Sequence, residues 1–365
     1  MRFGIFSKFD MAGGSERRCV EMANALVRHT PHQARLLCER DFPDRLREGV
    51  DERVDLQVNV LAPSPGRPEL FYDLDCLLVV NTDSQEFCRR DYWRGNTSRH
   101  QVGVDLTRIR QAVFLFNFIV SPSRRLAEIE VDCPRLKIIT ANRKFLDEIG
   151  KQSRYRAVRH IPRMMLESPI DPSRIDPQKR PADVVRIGMH STPNQDKWNR
   201  EWPELIAEVN RRRPAASIGW RFMGMPDDLR GAVSSFSNVE AVAAHARPVS
   251  DFLRELDVFA FFTSWKREEP WGRSTAEALM SGCPVVATPR GGNRDQIVSG
   301  NNGLLCESRE EFADAIALLV ESASLRRSMG RLARRMAGDF TSESVIHRFV
   351  RFVDDTPWAA EENRG

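Results

Sequence analysis

Residues 268–293 read EEPWGRSTAEALMSGCPVVATPRGGN, and the order of residue types divides them into loop, helix, strand and loop. Glu269 lies in a Pro270-Trp271-Gly272 turn just before the periodic run Ser274 to Met280, which places it at the mouth of a helix. Glu277 falls about one turn inside that helix. The backbone N–H groups around Gly272, Arg273 and Ser274 have no partner one turn earlier. Together with the helix dipole they favour an anion, and a phosphate is the natural guest. Gly282-Cys283-Pro284 ends the helix, and Val285-Val286-Ala287 is a short apolar run of the buried-strand kind, followed by Arg290-Gly291-Gly292.

Outward from this stretch, strand and helix patterns alternate along the chain. Met1 to Ser7 is a strand that leads into Gly13-Gly14, with Ser15 a good N-cap for a helix over Arg17 to Val27. Ala34–Cys38, Leu56–Leu61, Leu74–Val80, Phe114–Val120 and Leu136–Thr140 read as further strands. In the second half Val184–His190, Ile218–Met223, Val239–Val242, Leu256–Phe262 and Gly303–Cys306 are strands. Helices are expected near Arg200–Arg212, Asp227–Ser234, Ser250–Leu256, Arg309–Ser322, Leu325–Met336 and Ser342–Val353. Such alternation predicts doubly wound α/β sheets with ligands at the carboxyl ends of their strands. The 365 residues suffice for two such domains. From Leu166 to Asp183, LESPIDPSRIDPQKRPAD, proline density rises and apolar periodicity disappears, the pattern of a stiff linker. The expected division is therefore 1–165, a linker at 166–183, 184–340, and a C-terminal tail at 341–365.

Composition narrows the function classes. Hydrophobic content of 41% and charged content of 29% are ordinary for a soluble globular protein, and a formal net charge of +4 makes no case for nucleic-acid binding. Seven cysteines, odd in number and without CxxC spacing, fit reduced thiols better than a disulfide framework or a zinc site. No apolar run approaches the length of a membrane span and no export signal is visible, so the expected location is the cytoplasm.

The composite of Glu269, seven residues, Glu277, then glycine, PVVAT and GG resembles the donor-binding signature of the retaining glycosyltransferases of family 4, within the glycosyl transferases group 1. The resemblance implies the GT-B architecture, two Rossmann-like domains facing each other across a cleft, with the first domain for the acceptor and the second for the donor. It implies transfer of a sugar from a nucleoside diphosphate sugar to a glycan, lipid-linked or small-molecule acceptor, with retention and no metal or other cofactor. In that scheme Glu277 accepts hydrogen bonds from the ribose hydroxyls, Glu269 orients the donor sugar, and the Gly272, Arg273 and Ser274 amides with Lys197 hold the diphosphate. Met189 stands where the family commonly has an arginine, and Arg273 or Arg290 can supply that charge. His245 to Pro248, including Arg247, falls where the family contacts the nucleobase, and Gly13-Gly14 falls where a GG lies beside the donor phosphates or the acceptor. The family's first-domain histidine is not found directly after Val80; His100 is the nearest substitute and Asp83 a second. The final helix resembles the GT-B tail that crosses back to the first domain.

Simpler structural roles stand beside these. Glu269 can complement the helix dipole and Glu277 can pair with Arg273 at i, i+4. Lys197 can be a solvated loop lysine, His100 a structural histidine, and Gly13-Gly14 a plain turn. Two other functions fit the same architecture: sugar-nucleotide epimerisation or hydrolysis, and a degenerate GT-B protein that binds a nucleotide sugar or a partner without turnover. An arginine-rich surface also allows peripheral seating on anionic lipid.

Overall fold

Two all-parallel sheets carry the fold. The computed structural model describes the chain apart from residues 8, 10–13, 40, 61–66, 81–105, 117–122, 176–183, 214–217 and 356–365. The first sheet has seven strands in the order β3-β2-β1-β4-β5-β6-β7: β1 Arg2–Ser7, β2 Gln33–Cys38, β3 Asp55–Gln57, β4 Cys76–Val80, β5 Ala112–Phe116, β6 Leu136–Thr140 and β7 Arg163–Met165. The second has six, in the order β10-β9-β8-β11-β12-β13: β8 Val185–His190, β9 Ile218–Met223, β10 Val239–Val242, β11 Val258–Phe261, β12 Val285–Ala287 and β13 Gly303–Leu305. Strand order reverses beside β1 and β4 in one sheet and beside β8 and β11 in the other. Those are the switch points at whose carboxyl ends open α/β sheets bind ligands.

The chain divides into one unit of Met1–Ile170 with Ser342–Gly365 and a second of Asp171–Thr341. In the first unit the helix Gly14–His29 lays Met22, Ala23 and Leu26 on β1 and β2, and the C-terminal helix Ser342–Val353 adds Val345, Ile346, Phe349 and Val353 to the same core. Phe3 and Phe349 meet with ring centroids 5.6 Å apart. No described helix is long and apolar enough to cross a membrane. Among the described residues the cysteines are buried and form no disulfide.

The structure departs from the sequence expectations in several places, among them β3, which ends at Gln57, and the strand Arg163–Met165, which was not expected. The first helix already includes Gly14, so Ser15 is helical and does not occupy the cap position. β5 begins two residues earlier than Phe114, because Ala112 and Val113 pair with Leu77 and Leu78. Leu166 to Ile170 is not an open linker: all five residues are buried, and the Leu166 N–H donates to the Thr140 carbonyl at 3.0 Å. The buried Arg18 secures this segment, with Nη2 donating to the Leu166 carbonyl at 2.7 Å and the Glu167 carbonyl at 3.1 Å. Burial pulls the Arg18 guanidinium down to about 10. The chain leaves the unit at Asp171, whose side chain caps the turn Pro172–Arg174 by accepting from the Ser173 N–H.

A buried lysine fastens the C-terminal helix. Lys137 Nζ donates to the Phe352 and Val353 carbonyls, the latter at 2.9 Å, and to the Asp355 carboxylate; Gln111 Nε2 donates to the Val353 carbonyl at 3.0 Å. These are the last carbonyls of the helix, which have no partner within it. Lys137→Met is expected to lower stability by about 1–3 kcal/mol, because buried acceptors lose their donor. A thermal melt of the full chain checks this, and an unchanged midpoint removes the clamp as a stabilising feature.

Candidate functional site

Three loops leave the carboxyl ends of β8, β11 and β12 within the second unit, the first two flanking its switch point. Asn199, just past the first loop, ties it to the second: its backbone N–H donates to the Phe262 carbonyl and its Nδ2 to the Thr263 carbonyl, both at 3.1 Å. Trp265 Nε1 donates to Glu201 Oε1 at 2.9 Å and secures the same connection. The third loop packs backbone to backbone on the second. The Gly292 N–H donates to the Glu269 carbonyl at 2.8 Å. Gly291 has φ +51°, and a Cβ there would lie 2.1 Å from the Glu269 carbonyl oxygen; a Cβ on Gly292 would lie 2.8 Å from that of Pro270. The GG of the signature is thus required by close approach to the very turn that carries Glu269.

The signature helix runs from Arg273 to Met280 with Gly272 at its cap. Glycine makes no side-chain cap hydrogen bond to this helix start, the kind of helix end that suits an anion. A Cβ on Gly272 would come within 2.9 Å of Thr275 Oγ1 and 3.1 Å of Asn293 Oδ1. Asn293 in turn donates from Nδ2 to the Thr288 carbonyl at 3.0 Å, joining the helix start to the third loop.

Both signature glutamates are buried, with 7% of Glu269 and 5% of Glu277 exposed, and each has charged company. Glu277 Oε1 accepts from Arg273 Nε at 2.8 Å, and its Oε2 stands 3.5 Å from His190 Nε2. Glu269 Oε2 accepts from Arg267 Nε at 2.9 Å, and its Oε1 stands 4.0 Å from Lys197 Nζ. Lys197 lies in the short turn Gln195–Lys197, capped by Asn194 accepting from the Asp196 N–H at 2.9 Å. Ion pairing of Arg273 with Glu277 is the structural role weighed above, and it is compatible with ligand binding, since an ionised carboxylate has about four acceptor positions.

Neither Arg247 nor Arg290 pairs with a signature glutamate. Arg247 is engaged within the unit, donating from Nη1 to Glu255 Oε1 at 2.8 Å with its guanidinium over the Phe252 ring. Arg290 is exposed, and its side chain has no ion pair among the described residues. Met189 is fully buried and in register with Phe222, so it is core packing where the resemblance led one to look for an arginine. Gly14 opens the first helix of the other unit, while Gly13, Asp83 and His100 lie outside the described residues. Sequence reasoning did not single out His190 or Arg267. The place of His190 at the end of a strand beside the switch point was the signal available for it.

Comparison with solved structures covers nearly the whole chain. The structure of HepE from Anabaena in complex with UDP aligns with a TM-score of 0.74 at 15% identity, covering 97% of this chain and 100% of that one. The glycosyltransferase WaaG aligns with a TM-score of 0.65 at 15% identity, over 97% and 99% of the two chains. The chain has the GT-B fold. Residues 242–336, which contain the signature, match the family model described as glycosyl transferases group 1, so the GT-B chain carries a domain of that type. Spore coat protein SA of Bacillus subtilis is 34% identical over 84 residues, 22% of each chain. Human alpha-1,3/1,6-mannosyltransferase ALG2 is 32% identical over 87 residues, 23% of this chain and 21% of the relative. These alignments span about a fifth of the relatives' own length.

Chemically, the site offers cations and a helix start suited to a diphosphate and an ion-paired carboxylate suited to a diol. Its geometry depends on Gly291. Gly291→Ala is expected to cost about 1–3 kcal/mol through overlap with the Glu269 carbonyl, whereas Gly300→Ala, at φ +89° with open space around it, costs only the strain of about 1 kcal/mol. Equal melting shifts for the two variants would remove the packing argument.

Proposed function

We propose that this chain is a glycosyltransferase that moves a sugar from a nucleoside diphosphate sugar to a glycan, lipid-linked or small-molecule acceptor, with retention of configuration. The observation that carries this is the meeting of Lys197, Glu269, Glu277 and the uncapped start of the helix Arg273–Met280 at the loops around one switch point. The domain match over residues 242–336 and the UDP-bound HepE structure of the same fold support it.

A nucleotide sugar brings an activated leaving group, so the protein's task is to stabilise negative charge on the departing diphosphate and to hold the sugar. The amides at Gly272 to Ser274 and the ammonium of Lys197 carry the first task without invoking a metal. Glu277 accepts from the two ribose hydroxyls. Glu269 holds hydroxyls of the donor sugar and orients it, and does not act as the nucleophile. A donor phosphate oxygen takes the proton from the acceptor, which attacks from the leaving-group side. Nothing in this scheme uses the flanking carboxylate pair of a glycosidase.

The test is a thermal shift with UDP, GDP, ADP, TDP and CDP on wild type and Glu277→Gln. At about 100 times Kd, binding adds roughly 2.7 kcal/mol to the native state. One diphosphate is expected to raise the wild-type midpoint and to lose most of that effect on the variant; no shift with any of them sinks the proposal. Binding without turnover on any acceptor would instead favour a degenerate binding protein. Arg273→Ala, which removes a partner of Glu277, is expected to weaken the same nucleotide by about tenfold, and Arg267→Ala by much less. Equal effects would dissociate the Arg273–Glu277 pair from nucleotide binding.

A further inference from the structure

His190 is the last residue of β8 and is only 6% exposed. Its ring lies between Phe252 and Phe259, with centroids 5.9 and 5.5 Å away and steep interplanar angles of 77° and 63°. An aliphatic or aromatic side chain would fill this apolar surround at lower cost, because burying an imidazole requires partners for its polar nitrogens. Nε2 faces a carboxylate: it stands 3.5 Å from Glu277 Oε2, an ion-pair distance and not a hydrogen bond, while Arg273 Nε holds Oε1 at 2.8 Å. The two contacts address different oxygens of one carboxylate from different elements, β8 and the signature helix. Arg273, on the same helix as Glu277, moves with it. His190, on the sheet, does not.

We propose that His190 is a positioning residue that, through Nε2, fixes the plane of the Glu277 carboxylate relative to the sheet so that it meets both ribose hydroxyls at once. This rests on the reading of Glu277 as the ribose acceptor. Recognition of a cis-diol by one carboxylate needs both oxygens oriented, and a carboxylate held at one oxygen alone can still rotate about its last torsion, which is broad for Glu. His190 removes that freedom. It need not touch substrate.

The test compares the nucleoside diphosphate that wild type binds in the panel of UDP, GDP, ADP, TDP and CDP, taken in its ribose form, with its 2′,3′-dideoxy counterpart, by titration calorimetry on wild type, His190→Leu, His190→Gln and His190→Asn. Wild type is expected to prefer the ribose form. His190→Leu is expected to weaken the ribose form about tenfold and leave the dideoxy form within about twofold. Glutamine, whose amide nitrogen reaches as far as Nε2, is expected to restore the preference; asparagine, whose amide is one methylene shorter, is not. If His190→Leu weakens both forms equally, or if Gln and Asn behave alike, the residue only fills space and the proposal falls. Should the Leu variant fail to fold, the comparison of Gln with Asn decides the matter. A wild type that binds the two forms equally removes the ribose reading of Glu277 itself, and the positioning role with it.

Discussion

A carboxylate taken out of water must find a cation or several hydrogen-bond donors, or the segment carrying it will not stay folded. The second unit buries two carboxylates at the carboxyl end of its sheet, and the arrangement around them follows from that requirement. Arg267 answers Glu269 and Arg273 answers Glu277, each from within four residues, so the compensation is built into the turn and the helix. Lys197 and His190 then approach from the β8 side, on the remaining oxygens. The consequence is a site whose charged groups are held before any ligand arrives, which lowers the ordering cost of binding.

Much of this was legible in the residues because it is local. The helix at 273–280, the strands β8 to β12 and the turn that carries Glu269 follow from apolar period, glycine and proline, and the helix and strands appear within a residue or two of expectation. The Arg273–Glu277 pair is equally local, a single helical turn. What could not be read is what depends on chain segments distant in sequence. His190 meets Glu277 only because β8 and β11 are neighbours in the sheet. Leu166 to Ile170 looked like a linker from its prolines, but pairing with Thr140 and the reach of Arg18 decide its burial. Arg247 carried a role by analogy of position, while its contacts to Glu255 and Phe252 became visible only in the fold. The GG after the strand was legible as a motif, while its cause, overlap with the Glu269 carbonyl, required the fold.

Both units use the same progression of strand order about their switch points. The strands alone therefore carry no chemistry that distinguishes them. What distinguishes the second unit is the content of three short loops, and their precision comes from the rigid strand ends and the backbone contacts that join loop to loop.

The lysine-clamped helix Ser342–Val353 has a consequence for how the protein is made. The first unit is interrupted in sequence by the whole of the other, and its helix Ser342–Val353 is synthesised after the second unit. Translation proceeds at about 5–20 residues per second with domains folding as they emerge. During that interval the apolar face of the helix Gly14–His29 awaits Val345, Ile346 and Phe349. The second unit is contiguous and can complete its core first. The first unit is thus completed by a segment that follows the second, and loss of the helix Ser342–Val353 removes part of the first unit's core.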